Sequence, residues 1–111
     1  MALVGYARVS THDQHPESQL DALTAADCDK IFVDHASGTL ARRPALDDAI
    51  AYLRAGDTLV VTKLDRLGRS VRNLKQFADD LQARDVGLRA LSQGIDTTTA
   101  GGRLFFHVLA A

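Results

Sequence analysis

Ser10 closes an apolar run that begins at Leu3, and Arg8 stands two residues before it in Tyr6-Ala7-Arg8-Val9-Ser10-Thr11. A second stretch, Lys63-Leu64-Asp65-Arg66-Leu67-Gly68-Arg69, follows the strand-like Leu59-Val60-Val61-Thr62. Serine is a weak nucleophile. For it to attack a phosphodiester, its proton must be removed and the growing oxyanion charge neutralised, and clustered guanidiniums do the second with fixed, bidentate geometry. Arg8, Arg43, Arg66 and Arg69 are the candidates for that work. Asp65 lies among them and has two readings. As a protonated carboxyl it could give a proton to a leaving oxygen, although neighbouring cations push its pKa down; as a carboxylate it could be a strut holding Arg66 or Arg69.

Both stretches follow strand-like runs, and in an open α/β sheet the ends of parallel strands face one crevice, so the two are expected to converge on one phosphate-sized anion. The elements that would position them alternate along the chain. A strand over residues 3–9 leads through a polar loop to Pro16, which suits the first turn of a helix running from 16 or 17 to about 26, with Leu20 and Leu23 inward and Gln19 on its first turns. Residues 31–33 read as a second buried strand ending at Asp34, followed by a loop over 35–43 that contains Ser37-Gly38-Thr39. Pro44 opens a helix with Leu46, Ile50 and Leu53 at i, i+4 and i+7, and Gly56 stops it.

A third strand covers 58–62, and the Lys63 stretch reads as the loop after it. Ser70 caps the next helix, whose apolar face is Val71, Leu74, Phe77, Ala78 and Leu81 and whose end is set at Gly87. Residues 88–91 form a fourth strand, and Gly94 begins a flexible stretch that reaches Gly101-Gly102. Strands alternating with amphipathic helices predict right-handed crossovers and a mainly parallel central sheet with helices on both faces. Residues 103–111 are apolar around too much of a helical circumference for one buried stripe, which favours a partner's surface.

The chain has 111 residues, room for one domain, and with 46% hydrophobic and 24% charged residues it reads as folded. No apolar run is long enough to span a bilayer and the N-terminus lacks a secretory pattern, so no membrane association and a cytoplasmic place are expected. The lone Cys28 excludes an internal disulfide and reads as apolar filler. A net charge of −1 argues against a simple electrostatic nucleic-acid binder, yet the charges are segregated. Arg42, Arg43, Arg54, Lys63, Arg66, Arg69, Arg72 and Lys75 face only Asp47, Asp48, Asp57 and Asp65 in the middle third, which can make a local anion site. Neither a dinucleotide fingerprint nor a P-loop is present. His12, Asp13, His15 and Glu17 read as surface groups rather than metal ligands, and His35 near Ser37 keeps a hydrolase in view.

With these residues in hand, the sequence resembles the catalytic domain of the serine recombinases, the resolvase and invertase family of bacterial mobile elements. The resemblance rests on Tyr6 to Thr11, Gln14, Gln19, Asp34 with Ser37-Gly38, Arg43, the Lys63–Arg69 stretch and Gly94-Ile95. It implies that Ser10 attacks the DNA backbone to give a 5′-phosphoserine and a free 3′ hydroxyl, that Arg8, Arg66 and Arg69 hold the scissile phosphate with Arg43 assisting, and that Asp65 is the general acid. Gln14, Gln19 and Asp34 would order the arginines and the loop, Tyr6 and Ser37 would line the region, and Lys63 would join the supporting set. No cofactor or metal is implied. Residues 1–100 would form the catalytic domain and 101–111 the start of a truncated dimerisation helix, with DNA as partner, a homodimer as the unit and a tetramer as the active synapse. The family's DNA-binding domain lies beyond that helix, so the chain by itself is expected to be inactive, and a non-catalytic dimerisation or regulatory fragment is the alternative. A phosphoester hydrolase using Ser10 is a third reading.

Overall fold

The computed structural model of the chain describes residues 2–10, 17–36, 44–67, 71–102 and 104, and of residues 10, 36, 65, 66 and 71–73 the backbone only. The described elements are β1 (Leu3–Ser10), α1 (Glu17–Ala25), β2 (Lys30–Ala36), α2 (Pro44–Tyr52), β3 (Thr58–Val61), a 3-10 helix (Leu64–Leu67), α3 (Val71–Ala83), β4 (Gly87–Ala90) and β5 (Ile95–Asp96). They build a five-stranded sheet in the order β2-β1-β3-β4-β5. The first four strands are parallel and β5 joins antiparallel.

Side-chain alternation along the strands sorts the core into two layers. Val4 and Tyr6 of β1, Leu59 and Val61 of β3, and Leu88 and Ala90 of β4 pack with Leu46, Ala49 and Leu53 at α2 and with Leu74, Phe77 and Leu81 of α3. Ala7 and Val60 point the other way, onto Leu23 of α1. All four residues of β3 are buried, as expected of a strand covered on both faces. Gly5 lies under α1, where a Cβ would stand 3.1 Å from Cys28 Sγ and 3.3 Å from Leu23, so the missing side chain lets the helix sit close. Cys28 is filler in this layer, and its thiol pKa is raised by burial and by Asp29 beside it.

Several expected boundaries move, each for a local reason. β2 continues through His35 and Ala36, which pair with Val9 and Ser10, so the loop begins later than the sequence indicates. Gly87 does not end α3. The helix stops at Ala83, Asp85 adopts a left-handed φ of 60°, and the Val86 N–H to Leu81 carbonyl and Asp85 N–H to Gln82 carbonyl bonds close the last turn. Asp27, with φ 65°, ends α1 in the same way through Cys28 N–H to Leu23 and Asp27 N–H to Thr24. Gly87 instead opens β4, where a Cβ would meet the Thr98 methyl at 2.5 Å. Gly94, with φ 63°, turns the chain into β5 rather than into an irregular stretch. The Ser70 cap and residues 105–111 of the last apolar stretch lie outside the described residues; Ala100, Gly101, Gly102 and Leu104 are helical.

One carboxylate ties the N-terminal end of this sheet together. Asp57 accepts the Ala2 N–H on Oδ1 and the Arg54 N–H on Oδ2, both at 2.9 Å, joining the entry of β1 to the turn before β3. These backbone donors, Ala2 first and then Arg54, lower its pKa. A carboxylate whose folded pKa lies below its unfolded value adds stability above about pH 4, and that stability is lost as the pH falls through the lower, folded pKa. Asp57→Asn should therefore flatten the dependence of unfolding free energy on pH below about 4. Equal acid slopes for the two proteins in urea titrations would remove Asp57 from the account.

Candidate active site

The strand order places β2 on one side of β1 and β3 on the other, so the chain reverses its winding at β1. The crevice outside the carboxyl ends of β1 and β3 is the topological switch point, where open α/β sheets take their ligands. β1 pairs with β3 only from Leu3 to Gly5 but with β2 as far as Ser10. Ser10 thus ends a strand that continues five residues, about 16 Å at ~3.3 Å per residue, past its last pair with β3.

The Lys63 stretch, expected as a plain loop, folds here into the 3-10 helix, which packs against both β1 and β3. Leu64 and Leu67 are three apart, the repeat that brings side chains to one side of a 3-10 turn, and both are sunk in the core. Asp65 and Arg66 are carried between these anchors at the edge where β1 projects, and Lys63 is exposed at the entry. The backbone therefore brings the Ser10 and Asp65-Arg66 segments to one edge of the sheet. Arg43, Arg69, Gln14 and Ser37 lie outside the described residues.

Four further residues of the expected set, Asp34, Tyr6, Gln19 and Arg8, are placed by their contacts. Asp34, 6% exposed, accepts the Tyr6 hydroxyl on Oδ2 at 2.8 Å, the Ala45 N–H on Oδ1 at 2.8 Å and the Leu46 N–H on Oδ2 at 3.1 Å. It is the cap of α2, supplied from β2. Pro44 has no N–H to satisfy and Arg43 offers no short acceptor side chain, so the first donors of the helix take a carboxylate from the sheet, which also opposes the positive helix end. Gln19 is buried in α1 and its Nε2 donates to the carbonyl of Arg8 at 3.0 Å, while its buried Oε1 has no hydrogen-bond partner among the described residues. Arg8 is half-buried beside its register partner Asp34. His35 is exposed on β2.

A residue the sequence did not point to joins this edge from the other side. Gln93, in the turn between β4 and β5, accepts the Leu64 N–H on Oε1 at 2.9 Å. A glutamine beside Gly94 reads only as turn polarity; the contact spans 29 residues and leaves no local signal. The described clefts lie at the opposite end of the strands. One is bounded by Ala2, Asp29, Tyr52, Arg54 and Asp57, and none of the expected site residues lines it.

The fold defines a class, a doubly wound α/β domain with its topological switch point between the ends of β1 and β3. The chain belongs to the serine recombinase family, for the family model described as Resolvase, N terminal domain, matches residues 3–111. It is 53% identical over 111 residues to the DNA-invertase hin of Salmonella typhimurium, covering all of this chain and 58% of that protein. It is 50% identical over 109 residues to the serine recombinase gin of Escherichia phage Mu, covering 98% of this chain and 56% of that one. The chain thus spans little more than half the length of these curated relatives. Among solved structures, the N-terminal catalytic domain of TP901-1 integrase superposes with a TM-score of 0.81 at 33% identity, covering 97% of this chain and 90% of that one. The expected mainly parallel, resolvase-like sheet is the observed one. Among the described residues no helix is long and apolar enough to cross a membrane.

Proposed function

We propose that this chain is the catalytic domain of a site-specific DNA recombinase that cuts by transesterification. The Ser10 hydroxyl attacks a DNA phosphorus, the bond from phosphorus to the 3′ oxygen breaks, and the serine becomes esterified to the 5′ phosphate. The proton lost by Ser10 leaves to solvent or a base, and the departing 3′ oxygen takes up a proton to end as a hydroxyl. Asp65 either supplies that proton or holds an arginine in place. Arg8, Arg66 and Arg69, assisted by Arg43, neutralise charge on the phosphate oxygens, with Lys63, Gln14, Gln19, Asp34, Tyr6 and Ser37 in support. The phosphoserine ester keeps the energy of the bond it replaced, so resealing after strand exchange draws on no nucleotide.

The observation that carries this reading is the shared edge of the sheet: Ser10 ends β1 where β1 outruns β3, and the 3-10 helix bearing Asp65 and Arg66 packs against both strands. The relatives' names, DNA-invertase and serine recombinase, agree with DNA as the substrate. Pairing into dimers, and of dimers into a tetramer, belongs to the same proposal; Leu104, 66% exposed on the helical residues after Gly101, offers apolar surface for it. That exposed leucine also favours a second reading, in which the chain serves as a non-catalytic pairing module.

The test is covalent trapping on nicked duplex DNA. These 111 residues would replace the matching part of the Salmonella typhimurium DNA-invertase, and the peptide carrying residue 10 would be weighed. A 5′-phosphate adduct on Ser10, absent from Ser10→Ala, is the expected result. A folded, DNA-binding chimera that forms no adduct would leave the pairing module standing. Turnover of small phosphate esters would instead point to a hydrolase.

A further inference from the structure

The Asp65-Arg66 segment is held from two directions. From below, Leu64 and Leu67 anchor it in the core. From the side, the turn between β4 and β5 holds the residues that lead into it, through three hydrogen bonds. Leu91 N–H donates to the Val61 carbonyl at 3.0 Å, Ser92 N–H to the Thr62 carbonyl at 2.8 Å, and Leu64 N–H to Gln93 Oε1 at 2.9 Å. The first two prolong the β3–β4 ladder past its regular end, along the residues where the chain bends from strand into 3-10 helix. The third takes a backbone donor at the start of that helix, one of the groups a helix leaves unpaired. The turn is itself fixed, by Gly94 N–H to the Leu91 carbonyl at 3.3 Å and by the left-handed φ of Gly94.

We propose that Gln93 is a positioning residue for the catalytic edge: its side-chain carbonyl fixes the start of the 3-10 helix and, through that short rigid element, the placement of Asp65 and Arg66 relative to Ser10. The inference rests on the function proposed above and adds a residue on the far side of β3 to it. Gln93 itself is exposed, and what it contributes is an acceptor at one point. A carboxylate offers the same acceptor, whereas alanine offers none. Placement matters here because a shift of about 1 Å in a reacting group costs on the order of 100-fold in rate.

Three versions of the chimera, wild type, Gln93→Ala and Gln93→Glu, would be compared in single-turnover formation of the Ser10 adduct and in hydrogen exchange of the Leu64 amide. Gln93→Ala is expected to slow adduct formation by about 10–100-fold and to release the Leu64 amide to exchange. Gln93→Glu should restore both, the rate to within about threefold, because acceptor geometry rather than the amide group is what matters. An alanine variant as fast as wild type overturns the proposal, and so does a glutamate variant as slow as alanine. Should wild type form no adduct, the recombinase reading fails and takes the rate effect with it. The amide then decides the remaining claim: protection lost in alanine and kept in glutamate supports the clamp, and equal protection in all three versions overturns it.

Discussion

Asp34→Ala should lose about 3–5 kcal/mol of stability, a large part of the ~5–15 kcal/mol that holds a domain of this size together. The carboxylate is buried and satisfies three donors, the Tyr6 hydroxyl and the N–H groups of Ala45 and Leu46. Alanine removes the acceptor that all three share where water enters poorly, so the loss exceeds that of one ordinary hydrogen bond. Tyr6→Phe removes one donor and leaves the carboxylate its two backbone partners, so about 1 kcal/mol is expected there. Urea unfolding of the two variants measures the difference. If Asp34→Ala were no worse than Tyr6→Phe, the N-terminus of α2 would have to be held by something other than this carboxylate.

Arg66→Ala is expected to slow Ser10 adduct formation by about 100–1000-fold while leaving the melting transition within a few degrees of wild type. The separation follows from the 3-10 helix, which is anchored by the buried Leu64 and Leu67 and by the Leu64 N–H bond to Gln93. Arg66→Lys keeps the charge but loses the planar fork, so it should fall between alanine and wild type. Single-turnover trapping alongside a thermal melt gives both readings. An alanine rate within about threefold of wild type would move the charge-neutralising role away from Arg66.

Much of this edge could be read from the chain before any coordinates. The apolar run up to Ser10, the apolar stripe Leu74, Phe77, Ala78 and Leu81 of α3, and Pro44 at the start of α2 carry their periods or their fixed φ in plain view. What stayed hidden depends on distant or atypical partners. β5 has two residues, too few for any period to show, and its pairing is with a strand already counted. The 3-10 helix has one repeat, Leu64 and Leu67, which in sequence looks like two leucines in a basic loop. Asp27 and Asp85 do what glycine usually does at a helix end, so in sequence the stop signal falls on Gly87, where the glycine answers to Thr98 instead. The expected part played by Asp34 was in ordering arginines, and its bonds to α2 are 11 and 12 residues away along the chain.

The central place of β1 also dictates when the domain can form. The strand ending at Ser10 is the earliest of the five along the chain, yet its neighbour β3 lies 55 positions downstream, as the register of Leu3 with Thr58 shows. Until residue 61 has emerged, β1 has only β2 beside it and half of its backbone groups still face water or a chaperone. Closing a loop of that size before the β1–β3 contact stabilises anything is slow compared with closing a hairpin. Formation of the Ser10 edge is therefore set by the arrival of β3, and the 3-10 helix that follows it directly in the chain arrives in the same step.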